Sequence, residues 1–155
     1  MEYKDKLLLI KDLSARLSYG VVCSIYGDNS NGVKLCGIKS NKCYFEDLDY
    51  KETDGYVSIE GIKPYLRPMS SMNEEEKEYF YQNCLDVDVE DVRYENDGEL
   101  PLPYCQKDKF IWFENIYIDD VICAIDWLNA NHFDYRGLIG KGLALEAPEG
   151  MYNFK

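Results

Sequence analysis

Gly20–Lys39, GVVCSIYGDNSNGVKLCGIK, decides the fold class. Its first eight residues are apolar and β-branched, as a buried strand requires. Asp28-Asn29-Ser30-Asn31-Gly32 reads as a turn cluster, and Val33–Lys39 alternates apolar and polar with the period of a half-covered strand. Ser40-Asn41 then makes a short turn into KCYFEDL, and YVSIEGI supplies a fourth strand ending at Ile62. Short strands joined by tight turns predict a small antiparallel sheet, either a meander or a partly closed barrel.

Upstream, Tyr3–Leu17 carries Leu7, Ile10, Leu13 (or Ser14) and Leu17 at helical spacing, with Lys6, Lys11, Asp12 and Arg16 between them. This predicts an N-terminal amphipathic helix with Gly20 as its stop. Downstream, Pro64 and Pro68 within Ile62–Met69 argue against a central strand and for an ordered crossover. Ser71-Met72-Asn73-Glu74 has capping-box spacing and predicts a helix to about Asn83 or Cys84, with Tyr79, Phe80 and Cys84 on its apolar side. Glu74, Glu75 and Glu76 then occupy its first turn, where the helix dipole favours acids.

Val87, Val89 and Val92 alternate with acids and permit a strand; Asn96-Asp97-Gly98 is a turn, and Pro101 and Pro103 forbid regular structure beside them. Phe110–Ile118 reads as another strand. Asp119–Asn129 reads as a helix with Val121, Ile122, Ile125 and Leu128 on its inward face, closed by residues in Asn129–Asn131. The class expected is α+β: a small antiparallel sheet with an N-terminal helix and two or more further helices packed on it, in one domain spanning 1–155.

Charge narrows the function. The chain of 155 residues has a formal net charge of −12. From Glu74 to Glu99 eleven acids face two bases, Lys77 and Arg93, a net of −9 that leaves only −3 elsewhere. Such a surface repels phosphate backbones, so direct nucleic-acid binding is disfavoured and a protein partner is expected. Glu74, Glu75, Glu76, Asp86, Asp88, Glu90 and Asp91 are the candidate binding residues. Asp86-x-Asp88-x-Glu90-Asp91 lacks the glycine and terminal glutamate of a calcium loop, so no metal site is assigned.

Met1–Lys6 is charged and the apolar run after it, Leu7–Ile10, spans four residues. No signal peptide and no membrane span are expected. Cys23, Cys36, Cys43, Cys84, Cys105 and Cys123 are widely spaced without a CxxC, and read as reduced thiols of a cytoplasmic protein.

Asp119–Tyr152 holds the one histidine and the densest set of candidate catalytic groups: His132, Asp134 and Arg136 within HFDYRG. A histidine, a carboxylate and a guanidinium so close in sequence can supply base, acid and anion clamp. Equally, His132 can close the preceding helix while Asp134 caps the next turn and Arg136 pairs with it or with a buried carbonyl. One histidine cannot build a multi-histidine metal centre. Cys84 or Cys105 with His132 has no oxyanion-hole signature, and neither GxSxG nor HExxH occurs. Gly137–Gly142 has the wrong spacing for a phosphate loop, and Gly142 stands where Ser or Thr would hold magnesium. No cofactor is expected.

Three blocks carry a resemblance: Lys11–Val21, Ile62–Met72, and Trp127-Leu128-Asn129 with His132–Ile139 and Gly142-Leu143-Ala144. Together they resemble a family of short proteins, without a known activity, encoded by phages, prophages and mobile elements of gut and related bacteria. The stretches Gly27–Gly61 and Leu85–Ile116 lie outside it. The resemblance implies a genetic context and carries no functional residue over. The sequence therefore favours a small non-enzymatic interaction protein. The alternatives are a small hydrolase or nuclease around His132, Asp134 and Arg136, and an acidic inhibitor that mimics nucleic acid.

Overall fold

The computed structural model describes residues 1–46, 55–90, 92 and 117–152, with the backbone alone at 28–31. The expectations for Asp91, for the 96–98 turn, for Pro101, Pro103 and Cys105, and for a strand from Phe110 lie outside the described residues. The chain divides into two compact units, 1–67 with 136–155, and 68–135.

The first unit joins a helix to a sheet. Helix α1, Tyr3–Arg16, buries Leu9, Asp12, Leu13 and Arg16, the i, i+3, i+4, i+7 stripe. The predicted face is thus turned: Leu7 is exposed, while Ile10 and Leu17 pack at the margin of the core. A 3₁₀ turn, Leu17–Tyr19, follows, and Gly20 ends it at φ 72°, a left-handed position that glycine takes without steric penalty.

Strands β1 (Val22–Ile25), β2 (Asp28–Lys39), β3 (Lys42–Phe45) and β4 (Val57–Ser58) form the expected antiparallel meander. The first turn is Tyr26-Gly27, at φ 51° and 80°, and β2 absorbs the Asp28–Gly32 cluster predicted to turn. Two successive positive φ angles match the right-handed twist of the strands on either side, so this pair makes the tighter hairpin. Ser40-Asn41 turns as expected, with Ser40 at φ 57°.

Ile62–Leu66 departs from its prediction. It forms β5, inside the sheet order β4-β3-β2-β1-β5-β6, with Cys23 opposite Pro64. The Tyr26 N–H donates to the Gly61 carbonyl at 2.6 Å. Alternation along an antiparallel ladder then makes Ser24/Lys63 a bonded pair and Cys23/Pro64 a non-bonded one. The proline nitrogen faces away from β1, so no bond to β1 is lost. Strand β6 (Leu145–Glu146) runs parallel to β5 and meets it only at Tyr65 and Leu66, beyond the proline.

Counting on, Val22/Tyr65 should be the next bonded pair. Instead the Tyr152 hydroxyl stands between them, accepting from the Val22 N–H and donating to the Tyr65 carbonyl, each at 3.0 Å. The sheet is open, with β4 and β6 at its edges, and not a barrel. Leu9, Leu13, Cys23, Leu35, Ile62 and Leu138 are among the residues filling the core of this unit.

In the second unit the capping box lies two residues beyond its predicted place. Asn73 Oδ1 accepts from the Glu76 N–H at 2.9 Å, and Glu76 Oε2 accepts from the Asn73 N–H at 3.0 Å. Ser71 is engaged otherwise, its hydroxyl donating to the Pro68 carbonyl at 2.8 Å within a 3₁₀ turn. Helix α2, Glu74–Tyr79, widens into a π-helical turn, Phe80–Cys84. Val89 and Val92 are buried on a helical turn rather than a strand, and Asp88 Oδ1 accepts the Glu90 N–H at its start. Helix α3 runs Ile118–Ala130, and the Trp127 ring packs on Phe133 and Phe80, with ring centres 5.6 and 5.5 Å away.

Candidate functional site

His132 ends α3. It stands at φ 59°, its N–H donates to the Asn129 carbonyl at 3.1 Å, and the Phe133 N–H donates to the Leu128 carbonyl at 3.0 Å. Those two bonds and the left-handed residue make a Schellman motif, with histidine where glycine is usual. This is the helix-closing role the sequence allows. His132 is 4% exposed and Asp134 7%.

Arg136 belongs to the other unit. There it approaches α1, its Nε 3.8 Å from Asp12 Oδ1. Asp12 in turn takes two bonds from Arg16, from Nε at 2.9 Å and from Nη2 at 3.1 Å, and both side chains of that pair are fully buried. The structure thus brings Arg16 and Arg136 to one shared carboxylate, that of Asp12. Sequence reading placed Asp12 and Arg16 among the polar residues between the apolar positions of α1. The available signal was their i, i+4 spacing among Leu9, Leu13 and Leu17, which fits a sealed ion pair as well as a surface one.

Two catalytic readings lose support. Burial pushes the Cys84 thiol up to about 12, so it stands protonated at neutral pH and is a poor nucleophile. The N–H groups of Lys141 and Leu143 donate to the Leu138 carbonyl and that of Gly142 to the Ile139 carbonyl, so these donors point inward rather than at a phosphate. Among the described residues, no three His, Cys, Asp or Glu side chains are grouped to hold a metal ion. No helix among them is long and apolar enough to cross a membrane.

The acidic candidates divide. Glu76 is buried in the capping box, Glu74 pairs with Lys77 at 2.6 Å, and Asp88 caps a turn. Glu75, Asp86 and Glu90 are exposed.

A surface that the sequence reading turned inward lies on α3. Ile118, Val121, Ile122 and Ile125 are 76%, 43%, 53% and 38% exposed, while Ala124, Leu128 and Asn129 face the core. The exposed set has i, i+3, i+4, i+7 spacing and so forms one continuous stripe. Asp119 and Asp126 are exposed on the same helix, which has no Lys or Arg. The signal was present: IDDVICAIDWLNA is apolar on two faces, and only one can meet the core of its own unit.

No protein family, curated protein or solved structure matches the chain.

Proposed function

We propose that the protein acts by binding another protein through the outward face of α3. The observation that carries this is the unbroken stripe of Ile118, Val121, Ile122 and Ile125 on a helix whose charges are all acidic. Burying an aliphatic side chain completely is worth about 1.5–3 kcal/mol, and these four are on average about half exposed. Covering them would contribute roughly 3–6 kcal/mol, enough to hold a partner when added to polar contacts at the rim. With Asp119, Asp120 and Asp126 on the helix and −12 on the chain, the matching partner presents an apolar stripe bordered by Lys and Arg. The same charge argues against a second copy of this chain. The setting proposed for such an encounter, in keeping with the sequence resemblance to phage and prophage proteins, is the cytoplasm of a bacterial host.

The test places a photo-crosslinking residue at position 122 in the full chain, expressed in a bacterial host. It is repeated in an Ile118→Ser, Val121→Ser background, with the unfolding midpoint measured to confirm the fold. Crosslinks to a basic host protein that fall by about tenfold or more in the double variant would support the proposal. Crosslinks within the chain, to a second copy, or unchanged by the substitutions would overturn it.

A further inference from the structure

The described cysteines differ in their surroundings. Cys23 and Cys43 are buried in the sheet unit, and Cys36 is exposed on β2. Cys84 and Cys123 form a pair. Cys84 closes the π-helical turn and is 2% exposed; Cys123 is exposed on α3, which packs against that turn. The Cys123 thiol donates to the Asn83 carbonyl at 3.6 Å, which sets it beside Cys84, the next residue in the chain, and Cys123 adds to burial in raising the Cys84 thiol. Both lie within the second unit, so their approach belongs to one compact body.

We propose that Cys84 and Cys123 are a thiol–disulfide exchange site, oxidised to an internal disulfide by a small-molecule disulfide such as glutathione disulfide. The exposed thiol reacts first. The Cys123 thiolate attacks one sulfur of the oxidant, forming a mixed disulfide and expelling one thiolate, which takes up the proton Cys123 gave up. Cys84 then attacks the Cys123 sulfur, the mixed disulfide breaks, and the second small thiolate leaves with the Cys84 proton. Two protein thiols are oxidised by two electrons, and one disulfide is reduced to two thiols. Burial holds Cys84 protonated at neutral pH, so the second step is the slow one. The product fastens α3 to the end of the π-helical turn, and the inference stands whether or not α3 meets a partner.

The experiment incubates the purified full chain with glutathione disulfide and follows intact mass and non-reducing peptide maps. The expected sequence is a single glutathionyl adduct on Cys123 that converts to a Cys84–Cys123 disulfide. Conversion should quicken about tenfold per pH unit between pH 7 and 9, because the attacking thiolate fraction of Cys84 rises by that factor. Cys84→Ala, which keeps a small apolar group at the buried position, should hold the adduct on Cys123 without converting. An adduct as long-lived in the unsubstituted chain as in Cys84→Ala would overturn the inference. So would a disulfide from Cys123 to Cys36 or Cys105.

Discussion

Replacing Asp12 by Asn keeps the shape of the side chain and removes the negative charge that Arg16 meets at hydrogen-bonding distance. The pair is fully buried, with contacts of 2.9 and 3.1 Å, and Arg136 reaches the same carboxylate at 3.8 Å. Two guanidinium groups would then face a neutral amide. Removing one member of a sealed ion pair costs about 3–5 kcal/mol, because the remaining charge stays desolvated. Complete burial leaves no solvent screening to discount. Against a whole-domain stability of about 5–15 kcal/mol, that is roughly a fifth or more of the total.

The assay is urea unfolding followed by tryptophan fluorescence and circular dichroism. With a slope of about 2 kcal/mol per molar, the midpoint of Asp12→Asn should fall by about 2 M at unchanged slope. A companion, Asp12→Leu with Arg16→Met, fills the site with apolar atoms and leaves Arg136, whose side chain is 17% exposed, able to turn to water. It should recover most of the loss or exceed the parent. A single variant within about 0.5 M of the parent would refute the reasoning. A double variant as weak as the single would show that desolvated charge is not the cause.

Two further outcomes follow from the sheet and the buried titrating groups. Tyr152→Phe removes a donor and an acceptor at once, leaving the Val22 N–H and Tyr65 carbonyl without their bridge; it should cost about 2–3 kcal/mol and speed hydrogen exchange at the Val22 amide. An unchanged exchange rate there would show that the strands close the gap themselves. The second is alkaline sensitivity. Burial raises Cys43 to about 11, Cys84 and Tyr81 to about 12, and Cys23 and Tyr152 further still. The folded state keeps these protons after the unfolded chain has lost them. Their contribution is therefore complete below the ordinary values of 9.0 and 10.0 and declines as pH rises through the raised ones. Urea midpoints followed from pH 8 should hold to about pH 9 and fall from there to pH 11; a flat profile would contradict the burial of these groups.

What could be read from the sequence was what neighbouring residues decide. The extent of α1, its stop at Gly20, the Ser40-Asn41 turn and the meander all follow from spacing and turn chemistry within a few residues. What could not be read depends on partners distant in the chain. Pro64 looks like a strand breaker until the bond between Tyr26 and Gly61 fixes which way its nitrogen points. Ser71 and Asn73 are equally good caps on paper, and the 3₁₀ turn at Pro68 engages the first and leaves the second. Val89 alternates as a strand would, yet a carboxylate at Asp88 starts a helical turn there. On α3 two apolar faces competed, and the core took Ala124, Leu128 and Asn129 rather than the bulkier isoleucines. Of the candidate site, the closing role of His132 was legible. The association of Arg136 with Asp12 was not, since 124 positions separate the two.

The hydroxyl between Val22 and Tyr65 also sets a clock on biosynthesis. Tyr152 follows Tyr65 by 87 positions, and the whole second unit is translated between them. At roughly 5–20 residues per second, the nascent chain waits on the order of 4–17 s between making β5 and making the group that completes its seam with β1. Through that interval water must serve the Val22 amide and the Tyr65 carbonyl. Strands β1 to β4 can zip as they leave the ribosome, but the β1–β5 seam is finished only when the segment carrying Tyr152 arrives.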